Sequence, residues 1–390
     1  MKKIILVSIM ALFSFISCAT TNIAEKTEPK NEKKIIVKEP LLIIADKREL
    51  DSESLTFEEK QFDFAQIFAL ANSYFDIERY DEARNLYSRI IEKYPKFSMI
   101  SYCYFNVGLI YMKRNDFEKS SEFFLKSFEA SERNKDKLDS LLLYLESLKK
   151  SEKWLLAENI AEETLNKNPK NLEMSSETQN EISLRMAEAI IMQGKLAEGR
   201  KLVNYYISEI RKKYSRADLT FNSEYAMAQY ILGMSVVYEF RNYQLEANEA
   251  SLIKKCTYIL EAIKYFLTSI RAGVIYWTNA SAFEIANMYT TLFTEMELAA
   301  TPENLDADER AVYQCEVFNK ISGLLRKAKK TIEGSIIAAK NIKEENEYIV
   351  KSLEMLNEIN DMYDKKDSFC KNPIKKEDEQ QESSETAIAK

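Results

Sequence analysis

Apolar side chains recur with a helical period through most of the chain. From about residue 61 to residue 363 they return every three or four positions, which is the spacing of one face of an α-helix. This stretch contains three prolines, Pro95, Pro169 and Pro302, and each lies where a helical pattern stops. No alternating pattern of the kind that predicts a strand competes with it. The body of the chain is therefore predicted to be all-α.

The first residues show a different pattern. Two lysines are followed by a mostly apolar run, residues 4–16, which is too short to cross a bilayer as a helix, and then by Ser17 and Cys18. This order resembles the signal of a bacterial lipoprotein, although Phe15 stands where such signals usually carry leucine. The resemblance implies removal of a signal peptide, 1–17, and attachment of lipid to the Cys18 thiol. The alternative is an ordinary signal peptide that is cleaved nearby, with Cys18 incidental.

Polar segments flank the helical body. Residues 18–60 are rich in Lys, Glu, Thr and Asn and are predicted to be a flexible tether anchored through Cys18. Residues 364–390 have too few apolar side chains to bury and are predicted to be a disordered polar tail. Together with the lipid signal, this layout predicts a protein of the cell envelope, anchored at the outer membrane and facing the periplasm.

The helices of residues 61–214 come in similar pairs. In FAQIFALANSYFDIERYDEARNLYSRIIEKYP, residues 64–95, a small residue in the first helix, Ala71, precedes Tyr74, and Pro95 ends the second helix. The segment resembles a tetratricopeptide repeat, in which the small residue lets two helices approach closely. Further copies begin near residues 101, 138 and 180, and in the first of these Gly108 is the small residue. The resemblance implies a right-handed α-solenoid of antiparallel helix pairs.

The length of the repeating unit increases in the C-terminal part of the helical body, residues 215–363. Longer and less regular helices are predicted there, and a final helix, 344–363, has an apolar face suited to capping a solenoid. Residues 250–363 resemble the C-terminal region of tetratricopeptide lipoproteins of bacterial gliding-motility complexes, in which Trp277, Ala280 and Ala282 loosely match a Trp-Ala signature.

The repeat resemblance also implies where a partner would bind. First helices of such repeats line a concave face, which would take an apolar peptide, a helix or an acyl chain. The implied groove residues are Phe68, Asn72, Phe75, Asp76, Tyr102, Phe105, Leu109, Met112 and Lys113. Aromatic and apolar side chains dominate this set, so capture of a peptide's terminal carboxylate, for which such grooves use lysines and asparagines, is not expected. The alternative is that these side chains pack against the tether or against neighbouring helices.

Composition argues against catalysis. The chain has no histidine and only seven glycines, so it lacks the usual general base and the glycine loops that hold phosphates. Acidic residues outnumber basic ones, 62 to 55, without a basic stripe, which makes nucleic acid an unexpected partner. No cofactor or metal is expected. Cys103, Cys256 and Cys315 are predicted to be free buried thiols, whereas Cys370 lies in the polar tail without an explanation.

These observations predict a lipid-anchored periplasmic scaffold that binds another envelope protein through its concave face and performs no catalysis. The alternative is a periplasmic ligand-binding module that serves a transport system and holds a hydrophobic solute.

Overall fold

The computed structural model describes residues 64–168, 170–215, 218–299 and 305–371. These ranges contain thirteen α-helices and no strand, so the predicted all-α fold is confirmed. The helices are α1 Phe64–Asp76, α2 Tyr80–Lys93, α3 Ile100–Lys113, α4 Phe117–Ala130, α5 Asn134–Lys150, α6 Trp154–Lys167, α7 Ser176–Met192, α8 Leu196–Lys213, α9 Ser223–Asn242, α10 Glu249–Arg271, α11 Ile275–Ala299, α12 Ala307–Ile342 and α13 Glu347–Lys371.

The described residues form two compact units, 64–152 and 153–371. The first unit contains α1 to α5 and the second contains α6 to α13, and within each unit consecutive helices pack together as antiparallel pairs. The expected boundary at 214–215 lies inside the second unit, where Ile210 and Tyr225 belong to the same apolar core. The two helices of the expected third repeat, α5 and α6, belong to different units.

A glycine sets the approach of α3 to α4 in the first unit. A Cβ atom on Gly108 would lie only 2.9 Å from the Cε1 atom of Phe124, whose ring is fully buried. Only a residue without a side chain fits this position while the ring stays in place. The predicted need for a small residue here is therefore confirmed.

Buried serines extend this close packing to α5. The Oγ of Ser120 donates to the carbonyl oxygen of Gly108 at 3.0 Å and lies 3.0 Å from the Oγ of Ser147. Two turns further along α4, the Oγ of Ser127 lies 2.9 Å from the Oγ of Ser140. Each hydroxyl therefore has a partner, which removes most of the cost of burying it.

The second unit is organised around α9, which contacts α7, α8, α10 and α11. This helix is buried over almost its whole circumference, and Gly233 lets α10 approach, because a Cβ atom there would lie 2.5 Å from the Cε1 atom of Phe266. The helices towards the end of the chain are long, as predicted: α12 spans 36 residues, against 14 in α3.

The end of the chain differs from the prediction in two respects. The last helix continues beyond the expected end at 363 to Lys371, and Cys370 near its end forms a disulfide with Cys315 of α12. The predictions of a disordered tail from 364 and of a free thiol at Cys315 are therefore wrong over these residues. The composition of residues 364–371 does not by itself favour an ordered helix. Two features hold this segment: Tyr363 packs against the apolar core, and the disulfide joins Cys370 to α12. Cys103 and Cys256 are free and buried, as predicted.

The signal peptide, Cys18 and the tether lie outside the described residues. None of the helices that the structure describes combines the length and the apolar character needed to span a bilayer.

Candidate functional site

Three polar side chains of the first unit meet between its first two helix pairs. The hydroxyl of Tyr87 on α2 donates to the Oδ1 atom of Asn72 on α1 at 2.6 Å. The Nδ2 group of Asn106 on α3 donates to the Tyr87 oxygen at 2.9 Å and to the Oδ1 atom of Asn72 at 3.4 Å. We call these three residues the asparagine–tyrosine cluster. Burial raises the pKa of the Tyr87 phenol, so this group remains a neutral donor at physiological pH.

The asparagine–tyrosine cluster retains one donor and one acceptor that no described residue uses. In the bonds made among the described residues, Asn72 uses only its Oδ1 atom and Asn106 uses only its Nδ2 group. The Nδ2 group of Asn72 therefore remains as a donor, and the Oδ1 atom of Asn106 as an acceptor. Both side chains are partly exposed, so a ligand on this face could reach them.

Asn106 was not among the predicted groove residues. It follows Asn72 by about one repeat length of 34 residues, and this periodic recurrence of asparagine was the signal available in the sequence. What the sequence could not show is the buried Tyr87 hydroxyl that joins the two amides.

The predicted aromatic residues Phe68, Phe75 and Phe105 are partly exposed, and each packs against a ring of the second helix of its own repeat, α2 or α4. The ring of Phe68 lies edge-on to Tyr87, with centroids 6.0 Å apart. The ring of Phe105 meets Phe124 in the same way at 5.5 Å. Phe75 lies further along α1 and contacts Tyr80, with centroids 5.6 Å apart. Phe68 and Phe105 therefore combine an exposed edge with a contact that fixes their orientation.

The predicted groove residue Tyr102 is hydrogen-bonded to one member of an ion pair, Asp136 with Arg133. Its hydroxyl donates to the Oδ2 atom of Asp136 on α5 at 2.6 Å, and the same carboxylate accepts from the guanidinium of Arg133 at 2.8 Å. Arg133 first, with Tyr102 adding to it, holds the pKa of Asp136 below its usual value. The bond between Tyr102 and Asp136 therefore joins α3 to the first turn of α5.

The remaining predicted groove residues are spread along α3 and the end of α1. Leu109 and Met112 are partly exposed, and Lys113 is exposed with its Nζ atom 5.9 Å from the ring centroid of Tyr80. Asp76 is exposed at the end of α1. Among the hydrogen bonds and ion pairs of the described residues, none joins Lys113 to Asn72, so these two do not form a common polar site. Partner binding by the whole set stays a prediction.

A fully buried lysine in the second unit has a structural role. The Nζ group of Lys255 on α10 donates to the carbonyl oxygens of Phe240 and Tyr243 at 2.8 and 2.6 Å and to the Oε1 atom of Glu295 at 2.9 Å. Two of these bonds go to carbonyl groups at the C-terminal end of α9, where the Phe240 carbonyl also accepts a long bond from the Tyr243 N–H at 3.4 Å. Its three donors are thus used within the fold.

Other titratable groups of the second unit do not form an activated nucleophile. Burial raises the pKa of the Cys256 thiol to about 11 and that of the Tyr289 phenol to about 12, so both remain protonated at neutral pH. A protonated thiol is a poor nucleophile and a poor metal ligand. Within the described ranges, no three Cys, Asp or Glu side chains gather as a metal site would require.

The geometry thus defines a class of protein built from packed antiparallel helix pairs, with a partly exposed polar and aromatic face in the first unit. Comparison with family models finds a tetratricopeptide repeat at residues 67–96 and another at residues 101–134. These ranges correspond to the pairs α1–α2 and α3–α4, so the first two predicted repeats are confirmed. Such repeats suggest a scaffold for protein–protein interaction, and proteins built from them are generally not catalysts.

A comparison with curated proteins finds no match. Among solved structures, the chain is similar to YrrB, described as a tetratricopeptide-repeat protein with an unusual peptide-binding site, at 17% identity over 55% of this chain and 94% of that one, with a TM-score of 0.34. It is also similar to the apo form of RapI, at 13% identity over 72% and 99% of the two chains, with a TM-score of 0.41. A tetratricopeptide-repeat protein from Parabacteroides merdae ATCC 43184 shows 12% identity over 76% and 98%, with a TM-score of 0.35. Likenesses at these scores carry no argument about function.

Proposed function

We propose that this protein is a lipid-anchored periplasmic scaffold that binds an extended segment of another envelope protein on the face formed by α1 and α3. The observation that carries the proposal is the asparagine–tyrosine cluster within the two tetratricopeptide repeats. The scaffold performs no catalysis of its own. Residues 250–363 resemble lipoproteins of motility complexes, so a motility complex is one kind of envelope assembly in which the scaffold could work.

The chemistry of the face suits the main chain of a peptide. An extended segment presents carbonyl acceptors and amide donors, which match the Nδ2 group of Asn72 and the Oδ1 atom of Asn106. Phe68 and Phe105 are partly exposed on the same two helices as these amides and could offer apolar contacts to the peptide's side chains. Because main-chain groups are the same in every peptide, we expect the apolar contacts to provide the selectivity.

Two independent features support export to the envelope. The first is the signal pattern that ends at Cys18. The second is the disulfide between Cys315 and Cys370, because such bonds persist in oxidising compartments such as the periplasm and are rare in the cytosol. Lipid on Cys18 would then hold the helical units beside the membrane, while the groove remains open to periplasmic partners.

Photo-crosslinking in intact cells tests the proposal. A photoreactive phenylalanine analogue replaces Phe68 in one variant, and replaces Asn85 on the exposed side of α2 in the matched control. We expect a covalent adduct with an envelope protein from position 68 and none from position 85. Adding Asn106→Leu to the first variant should reduce the adduct at least about fivefold, because the ligand loses one hydrogen bond and faces an apolar group.

The crosslinked peptide identifies the segment that binds. A synthetic copy of that segment should bind the purified protein in calorimetry, and Asn72→Ala should weaken it while Asn85→Ala does not. Equal crosslinking from both positions, or binding that is indifferent to Asn72 and Asn106, would contradict the proposed face.

A further inference from the structure

A disulfide joins the C-terminal end of the last helix, α13, to α12. Cys370 in the final turn of α13 is joined to Cys315 in the third turn of α12, with Cα atoms 5.3 Å apart and a sequence separation of 55 residues. The two helices run antiparallel, so the bond links the start of one to the end of the other. It is the single covalent link between helices among the described residues.

Other contacts of this part of α13 are few. Ile359 is its last fully buried residue, and beyond it the described side chains are partly or fully exposed. Tyr363 meets Phe318 edge-on with ring centroids 5.5 Å apart, and Lys366 forms an ion pair with Glu297 of α11. Asn360 accepts a hydrogen bond from the Nζ group of Lys329 on α12 at 2.8 Å, and Met362 packs against the apolar core. All of these contacts involve partly exposed side chains, so each is a weaker restraint than a covalent bond. The disulfide is therefore the strongest restraint on residues 360–371.

The two sulfur atoms differ in access. Cys315 is only 8% exposed in the side of α12, whereas Cys370 is half-buried at the end of a helix. A thiolate must approach the sulfur that it attacks along the line of the disulfide bond, from the side opposite the leaving sulfur. Because Cys370 is the more exposed of the two residues, its sulfur is the one that we expect an attacking thiolate to reach.

We propose that the Cys315–Cys370 disulfide is a redox-controlled clamp, opened by a protein dithiol that attacks Cys370, and that its reduction frees residues 360–371 from α12. One thiolate of the dithiol bonds to the Cys370 sulfur, the old disulfide breaks, and Cys315 leaves as a thiolate that takes a proton from solvent. The second thiol of the dithiol then displaces Cys370 as a thiol. The dithiol ends as a disulfide, and the scaffold carries two free thiols.

Release would change the surface of the second unit. Tyr363 covers part of Phe318, which is 4% exposed while α13 is in place. When residues 360–371 leave, this ring and the neighbouring Val317 become an apolar surface at the end of the helix stack. Reduction would thus expose apolar surface at this end of the second unit. This inference concerns the second unit and does not depend on peptide binding by the first.

Hydrogen exchange measured by mass spectrometry tests the clamp on the full chain. The oxidised protein is compared with the same protein after dithiothreitol and with the variant Cys370→Ser. We expect exchange of amides in 360–371 to accelerate at least about tenfold in both, while amides of 347–359 change less than about twofold. Unchanged exchange in 360–371 after verified reduction would overturn the proposal.

Two controls separate the clamp from general effects of the reductant. Dithiothreitol should not accelerate exchange further in Cys370→Ser, and Cys256→Ser should behave as the unaltered protein does, because Cys256 is a free thiol. Alkylation of the denatured, unreduced chain should leave Cys315 and Cys370 unmodified while Cys103 reacts. Modification of all of them would show that no disulfide exists and would also overturn the clamp.

The site of attack is tested with glutathione, a monothiol that leaves a mixed disulfide. Peptide mapping should find glutathione on Cys370 at least about tenfold more often than on Cys315. Equal amounts on both would contradict attack at the end of α13.

Discussion

Gly108 on α3 faces the ring of Phe124 on α4 so closely that no side chain fits between them. An added Cβ atom would lie 2.9 Å from the ring, and Phe124 is fully buried and cannot move outwards. Gly108→Leu should therefore force the two helices apart and lower the free energy of unfolding of the first unit by about 1–3 kcal/mol. Chemical denaturation followed by circular dichroism measures the change.

Gly334 provides the matched control for that substitution. It also lies inside a helix, α12, but no atom is within 4 Å of the place where its Cβ would be. Gly334→Ala should stabilise the second unit by about 0.5–1 kcal/mol, because glycine is a poor helix former. If Gly108→Leu left stability unchanged while Gly334→Ala behaved as expected, the assignment of the close helix contact would be wrong.

The sequence predicted those parts of the fold that depend on local rules. A small residue where helices cross, a proline after a helix and an apolar period of 3.6 residues are visible without coordinates, which is why Gly108 and Pro95 could be interpreted correctly. The disulfide could not be predicted, because 55 residues separate Cys315 from Cys370 and their meeting depends on the packing of two long helices.

The candidate site was predicted only in part for the same reason. Phe68, Asn72 and Phe105 follow from the repeat pattern. The bond from the Tyr87 hydroxyl to Asn72 does not follow from that pattern, since the sequence does not tell which buried polar atom finds a partner.

Lys255 should be essential to the stability of the second unit. Lys255→Met removes three hydrogen bonds, two to the carbonyls of Phe240 and Tyr243 and one to the carboxylate of Glu295. We expect the free energy of unfolding to fall by about 2–4 kcal/mol. The neighbouring Lys254 is exposed, so Lys254→Met should have little effect in the same urea titration. Comparable losses from the two substitutions would argue against the described network.

Asp136 should make the stability of the first unit depend on pH. Arg133 and Tyr102 hold the pKa of Asp136 in the folded chain below its unfolded value of about 4. Stability from this group is therefore fully present above pH 4 and is lost as the pH falls through the folded pKa. Urea midpoints measured from pH 7 to pH 2 should show a smaller loss in Asp136→Asn than in the unaltered protein. Identical pH profiles would contradict a role for this carboxylate.

Lipid attachment at Cys18 is tested by metabolic labelling. Cells grown with an alkyne analogue of palmitate should incorporate label into the unaltered protein and not into Cys18→Ser, because the thiol is the expected acceptor. Cys103→Ser, which removes a buried thiol of the first unit, is the control and should retain the label. Labelling of Cys18→Ser to the same extent would favour the alternative of an ordinary signal peptide.

The final prediction separates binding from folding on the face of the first unit. Phe105 is partly exposed, whereas Phe124, which it contacts, is fully buried. Phe124→Ser should cost at least about 3–5 kcal/mol, the usual loss for removing a buried phenylalanine, and should unfold the first unit. Phe105→Ser should cost much less and preserve the helical spectrum, yet abolish the adduct formed by the crosslinker at position 68, since partly exposed aromatic side chains are typical anchors of interfaces. Thermal unfolding and crosslinking are measured on the same preparations. If Phe105→Ser destabilised the unit as much as Phe124→Ser, its ring would belong to the core and the alternative of internal packing would hold.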